Sequence, residues 1–201
     1  PRDAPRVLEA AEHCRLEHHD VTRLALQHLL GARPRRVQTL VRGDRAFAPG
    51  SLDEFRLTTG AGIQVKRLRA AGLLPIVFTN QPDVGRGLIP APILNTMHAL
   101  LRAEVPVEDI FVCAHDSTDG CECRKPKAGM LRAAADKWDI DLGRSFVIGD
   151  RWQDIDAGRA VGSYTVLLDR AYSQCRVVDS RVVDLAEAVD VVLERLREKG
   201  P

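Results

Sequence analysis

Four metal-binding side chains fall within eleven residues of this 201-residue chain: Cys113-x-His115, then Cys121-x-Cys123. Three thiolates and one imidazole form the tetrahedral donor set that suits Zn²⁺. Protein would fill all four positions, so the expected site is structural rather than hydrolytic. Gly120 and the small residues Ser117 and Thr118 let the segment fold back on itself; coincidental clustering of cysteines is the competing reading. Arg124 and Lys125 follow directly, fixed between this loop and Pro126. Rigidly placed cations are what a phosphoryl group needs, whereas a solvated basic pair would carry no chemistry. Two other places could complete such a site. Thr79 and Asn80 precede a loop holding Gly85 and Gly87, and hydroxyl, amide and backbone N–H groups there can hold phosphate. An ordinary strand-to-turn transition would look the same. Asp150 follows the apolar run 145–149, and a carboxylate there suits Mg²⁺, which prefers a few carboxylates with phosphate oxygens and water. Asp154, four residues on, is either part of that chemistry or an early-helix carboxylate favoured by the dipole.

The elements that must position these residues follow a clear rhythm. Residues 73–78, 109–114, 145–150 and 164–169 are short apolar runs rich in branched residues and read as buried strands. Residues 90–105, 127–138, 152–161 and 182–199 read as helices, the last amphipathic. Alternating strands and helices imply parallel βαβ units and a sheet covered on both faces. Ligands in such folds sit at the carboxyl ends of the strands, where the candidate residues fall. The first third differs: residues 4–32 carry helical periodicity and end at Gly31 and Pro34. We expect a helical N-terminal extension over 1–34, with the α/β domain over 35–201. His13, Cys14, His18 and His19 are expected to lie on a solvated helix face.

Bulk composition narrows the function classes. The chain is 45% hydrophobic and 28% charged, ordinary for a globular domain, and its formal net charge of +1 gives no basic field for nucleic acid or acidic lipid. Aromatics at 4% argue against a base-stacking surface. No apolar run reaches the roughly 18 residues of a membrane span, and no basic-then-apolar pattern opens the sequence. With cysteines spaced for metal rather than disulfides, the expected compartment is a reducing cytoplasm.

Taken in order, Thr79-Asn80-Gln81 with Gly85-Arg86-Gly87, then Cys-x-His…Cys-x-Cys-Arg-Lys-Pro, then Gly149-Asp150 with Asp154, resemble the haloacid-dehalogenase (HAD) superfamily. The zinc-containing branch is the nearest in pattern: the D,D-heptose 1,7-bisphosphate phosphatases and the related histidinol-phosphate phosphatases. Residues 51–61, SLDEFRLTTGA, are similar to the stretch leading into that family's first long helix. The resemblance covers about residues 51–169 and implies a Rossmann-like, mainly parallel sheet flanked by helices. It implies hydrolysis of a phosphate monoester on a small phosphorylated sugar, D-glycero-D-manno-heptose 1,7-bisphosphate first and histidinol phosphate as the alternative substrate, through an aspartyl-phosphate. It further implies that Thr79 and Asn80 contact the transferring phosphoryl group, that Lys125 neutralises its charge, and that Gln81, Arg124 and Arg151 contact substrate. Mg²⁺ would sit at Asp150, and Zn²⁺ at Cys113, His115, Cys121 and Cys123.

One part of the family pattern is missing. The nucleophile belongs in an Asp-x-Asp motif on the first strand, and residues 33–51 contain none. If that strand is 37–41, Val41 and Gly43 stand where nucleophile and acid belong, and neither can react. If it runs on to Gly43, Asp44 is the candidate nucleophile and Ala46 stands in the acid's place. Acid–base assistance worth roughly 10²–10⁴-fold would then be lost. Three readings follow: a pseudo-phosphatase that binds a sugar phosphate, a slow phosphatase using Asp44, or a first segment replaced through a shifted start or frame. A purely structural zinc domain, with no phosphate or Mg²⁺ affinity, is the remaining alternative.

Overall fold

The computed structural model describes residues 41–42, 49, 51–174 and 177–199. The expected N-terminal extension, Asp44 and the four His and Cys residues before Val21 lie outside the described residues. A minimal strand β1 (Val41–Arg42) pairs antiparallel with β2 (Arg56–Leu57). Helix α1 (Ala61–Ala70) leads to β3 (Ile76–Asn80), the short helix α2 (Pro82–Gly85), and α3 (Ala91–Glu104). Next come β4 (Asp109–Cys113), the zinc-type loop, and α4 (Gly129–Trp138). The chain closes through β5 (Phe146–Gly149), α5 (Trp152–Arg159), β6 (Tyr164–Leu168), β7 (Ser180–Val182) and α6 (Leu185–Lys199). β3 pairs parallel with β4, and β5, β6 and β7 form a second parallel group in that order. No helix among the described residues is long and apolar enough to cross a membrane.

The architecture is the expected α/β one. Strand residues alternate between two apolar layers. Val77, Ile110 and Ile148 face a layer built by α1, α3 and α6, with Val65, Met97, Leu101 and Val189 at its centre. Phe78 and Val147 face the opposite way, against Leu131 of α4 and Ala157 of α5. Both strand groups therefore share both helical layers. α6 shows the sequence logic most plainly: Leu185, Ala188, Val189 and Val192 recur at helical spacing, and all four are buried.

Element bounds depart furthest from the sequence reading at the first apolar strand and the final helix. The first apolar strand begins at Ile76 rather than residue 73, because Pro75 has no N–H to give a ladder. Its carbonyl instead accepts from Glu108 N–H at 2.8 Å, just before the Ile76–Asp109 pairing starts. Thr79 and Asn80 consequently lie inside the ladder, opposite Val112 and Cys113. The final helix begins at Leu185 rather than 182, and Val182 closes β7 (Ser180–Val182) instead of opening the helix. Asp179 fixes that strand by accepting from the backbone N–H and hydroxyl of Thr165, each at 2.7 Å.

Candidate functional site

Lys125 is the centre of the arrangement. Its ammonium lies 4.5 Å from the centroid of the Phe78 ring and donates to the Phe78 carbonyl at 3.0 Å. It also donates to Asp154 Oδ1 at 2.6 Å, in an ion pair whose side chains are only 13% and 8% exposed. An ammonium has three N–H donors, so one remains without a partner among the described residues. Asn80 fixes the same residue from the main-chain side. Its Oδ1 accepts from Lys125 N–H at 3.1 Å, and its Nδ2 donates to the Lys125 carbonyl at 3.2 Å. Beside it, Gln81 Nε2 donates to Thr79 Oγ1 at 3.2 Å, so the threonine hydroxyl keeps its own proton to give. The result at the end of β3 is two prepared donors, one hydroxyl and one ammonium, suited to an anionic oxygen.

Asp154 joins this centre to the end of β5. Its Oδ2 accepts from Arg151 N–H at 3.1 Å, an N-terminal cap on α5, while its Oδ1 holds Lys125. Sequence left it as either a phosphate-chemistry carboxylate or an early-helix one; the structure makes it the cap of α5 and the counter-ion of Lys125. Gly149 is dictated by this packing: a Cβ there would stand 2.2 Å from the Asp154 Cβ. Asp150, just past β5, receives a hydrogen bond on Oδ2 from the Tyr172 hydroxyl. Its Oδ1 has no partner among the described residues. Burial, then the adjacent carboxylate, push the Tyr172 phenol well above its ordinary range, so it is a donor at any physiological pH.

The Cys113–Cys123 loop is folded as a four-donor cluster. His115 Nδ1 lies 3.6 Å from Cys113 Sγ and 3.2 Å from Cys123 Sγ. The three sulfur–sulfur separations are 3.7, 3.2 and 3.5 Å. A tetrahedron with metal–sulfur bonds of about 2.3 Å has sulfur–sulfur edges near 3.8 Å, whereas a disulfide needs about 2.05 Å. The donors therefore fit a small tetrahedral cation and do not fit a disulfide. Burial, then the neighbouring Cys123 thiol, push the Cys113 thiol up to about 12. A metal ion bound there would displace its proton.

This loop is also fastened to the phosphate-handling end. Arg86 grips Asp116 through two hydrogen bonds of 2.6 and 2.8 Å and Asp83 of α2 through a third of 3.0 Å. The Arg86 guanidinium holds the Asp116 carboxyl down at about 2. Gln81 N–H donates to the Cys113 carbonyl at 2.7 Å. Gly85 lies so close that a Cβ there would sit 2.0 Å from the Ala114 carbonyl oxygen. On the far side, Arg124 donates to the His115 carbonyl at 2.9 Å.

Thr79, Asn80, Gln81, Lys125 and Asp150 thus gather at the carboxyl ends of β3 and β5, while the four zinc-type donors close the loop after β4. Arg151 stands beside Asp150 with its guanidinium 5.2 Å from the Tyr172 ring. Sequence reasoning gave Arg86 no role of its own and missed Tyr172 and Ser173. The last two follow β6, another strand of the parallel sheet, so inspection of every strand's carboxyl end would have found them.

A family model described as HAD-hydrolase-like matches residues 122–198. The D-glycero-beta-D-manno-heptose-1,7-bisphosphate 7-phosphatase of Pseudomonas putida is 40% identical over 123 residues, covering 59% of this chain and 70% of the relative. The enzyme of the same name from Pseudomonas aeruginosa is 37% identical over 123 residues, covering 59% and 69%. Among solved structures, the D,D-heptose 1,7-bisphosphate phosphatase of B. bronchiseptica, complexed with magnesium and phosphate, superposes with a TM-score of 0.70 at 29% identity. That likeness covers 81% of this chain and 96% of the other. The chain belongs to the HAD-like hydrolases, in the branch of the D-glycero-D-manno-heptose 1,7-bisphosphate 7-phosphatases.

Proposed function

We propose that this protein handles D-glycero-D-manno-heptose 1,7-bisphosphate as a Mg²⁺-dependent phosphate monoester hydrolase directed at the 7-phosphate. The observation that carries this reading is Lys125: a cation held rigid by Asp154, Phe78 and Asn80, with one N–H donor to give, next to a free Thr79 hydroxyl. Its relatives' names supply the substrate class. In this reading Thr79 and Lys125 bind the transferring phosphoryl group, and Asn80 and Gln81 hold those two in place. Arg124 and Arg151 contact the rest of the substrate. Asp150 holds Mg²⁺, which supplies charge neutralisation at the phosphoryl oxygens. Cys113, His115, Cys121 and Cys123 hold Zn²⁺ as a structural ion that fixes Arg124 through the His115 carbonyl. Residues 35–201 would form the catalytic domain and 1–34 a helical extension, and a thiolate cluster of this kind fits a cytoplasmic setting.

Asp44 is the proposed nucleophile, with Ala46 where an acid would stand. Loss of acid–base assistance then makes the expected turnover slower by roughly 10²–10⁴-fold than with the full motif. The missing Asp-x-Asp equally supports a second reading, a protein that binds the sugar phosphate without hydrolysing it. Phosphate release from heptose 1,7-bisphosphate by zinc-loaded protein, with and without Mg²⁺, separates the two. Release that requires Mg²⁺ and vanishes in Asp44→Asn supports the hydrolase. Release no greater than that of Lys125→Ala removes the hydrolase and leaves the binding protein.

A further inference from the structure

The turn after β6 clamps Asp150 from two sides. The Tyr172 hydroxyl donates to Oδ2 of its carboxylate, and Ser173 Oγ donates to its backbone carbonyl at 2.8 Å. Ser173 is itself anchored, accepting from Arg170 N–H at 3.1 Å and lying 3.2 Å from the Leu168 carbonyl at the end of β6. A 2.8 Å bond from Ser173 N–H to the Arg170 carbonyl closes the turn, and Asp169 N–H donates to Val182 of β7. The turn is thus tied to two strands, so Tyr172 reaches Asp150 from a fixed base. The same ring lies beneath the Arg151 guanidinium, 5.2 Å from centroid to carbon. One side chain therefore touches both the carboxylate proposed for the cation and the arginine proposed for substrate.

We infer that Tyr172 is a positioning residue of the phosphate-handling site, turning the Asp150 carboxylate so that Oδ1 faces the cation and holding Arg151 against its ring. A carboxylate on a free rotor presents either oxygen. One already bonded through Oδ2 presents the other, and the ordering is complete before the cation arrives. Partners of this kind behind a metal ligand commonly alter affinity 10–100-fold when removed. Tyr172 is 40% exposed, so loss of the hydroxyl opens no core cavity. This inference rests on the reading of Asp150 as the cation ligand.

The test uses the full zinc-loaded chain with Mn²⁺ as the probe, followed by water-proton relaxation, so that it needs no turnover. Wild type is expected to bind one Mn²⁺ that Asp150→Asn loses. Tyr172→Phe keeps the ring and removes the donor, and should weaken Mn²⁺ binding about tenfold. Tyr172→Leu removes both, and should weaken inorganic phosphate binding at saturating Mn²⁺ as well, while Tyr172→Phe changes it less than twofold. Mn²⁺ binding to Tyr172→Phe within twofold of wild type overturns the inference and leaves the reading of Asp150 standing. Absence of any Asp150-dependent Mn²⁺ site in wild type removes that reading, and the role of Tyr172 falls with it. Because Tyr172→Phe alone decides the cation arm, a Tyr172→Leu chain that fails to fold does not blunt the test.

Discussion

The buried pair of Lys125 and Asp154 makes a sharp energetic prediction. Its side chains are 13% and 8% exposed, and the N–O separation is 2.6 Å. Removing one partner leaves the other charge in a poorly solvated place, which costs about 3–5 kcal/mol. Asp154→Asn keeps an amide oxygen but leaves the ammonium without a counter-charge, beside the Phe78 carbonyl and ring. Lys125→Met leaves the carboxylate with only the Arg151 N–H. Each single change should lower stability by about 3 kcal/mol, or about 6–12 °C in Tm for a domain of this size. The double variant contains neither charge. It should lose only about 1–2 kcal/mol, mostly from a weakened cap on α5. The expected coupling is therefore about 4–5 kcal/mol, well above the 0.3–0.5 kcal/mol scatter of independent sites. Urea unfolding of the four zinc-loaded proteins measures it. Single-variant losses that simply add in the double variant would refute the claim that the two charges hold each other.

Three further outcomes follow from the same contacts. Gly85→Ala places a Cβ against the Ala114 carbonyl oxygen, which is backbone and cannot swing away; we expect a loss of about 1–3 kcal/mol or more in urea unfolding, with weaker phosphate binding. Chelation of bound metal should release about one Zn²⁺ per chain and raise the thiol count reactive toward a disulfide reagent by three, the number of cysteines in the cluster. It should also weaken phosphate binding, because Arg86 and Arg124 tie that loop to α2 and Lys125; chelation that leaves phosphate affinity unchanged would disconnect the two. Lys137, then the Trp138 indole and Ile110 N–H, hold the Asp109 carboxyl down at about 2 from 3.8 against its burial. A depressed carboxylate stabilises the fold above its unfolded value and loses that contribution as pH falls, here between pH 3.8 and about 2. With Lys137 57% exposed and screened, the contribution is about 1–2 kcal/mol. Acid titration of Asp109→Asn should therefore show a flatter stability loss below pH 4 than wild type.

The zinc-type cluster, Lys125 and Asp150 were legible because chemistry confined them to short spans of sequence. A Cys-x-His and a Cys-x-Cys eight residues apart leave few other purposes, and a carboxylate directly after Phe146–Gly149 falls where a parallel sheet exposes its strand ends. What stayed hidden depends on distance in sequence. The partners of Lys125 are 47 and 29 residues away, and no local pattern announces them. The role of Asn80 was hidden in another way. Its position beside Thr79 suggests a second phosphate ligand, yet its amide holds the main chain of Lys125, which only the crossing of β3 with the zinc loop reveals. Strand β7 was lost because Val182 continues the apolar spacing of the helix, and the pairing with β6 and the Asp179 bonds to Thr165 that separate them are long-range.

These contacts bear on the missing Asp-x-Asp. Lys125 is held by residues 78, 80 and 154, and Thr79 by Gln81. Asp150 is held by Tyr172 and Ser173, and the donor loop by Arg86 and Arg124. Each of these supports comes from residues 78–173. In the proposed reading, loss of the first motif leaves these supports of the groups assigned to phosphate and cation in place. Binding and turnover are then expected to be separable, so affinity for the sugar phosphate should persist whether or not Asp44 reacts. The prediction is a Lys125-dependent affinity for inorganic phosphate in the zinc-loaded protein that Asp44→Asn changes by less than threefold. A larger loss in that variant would place residue 44 among the groups that hold the ligand and end the separation.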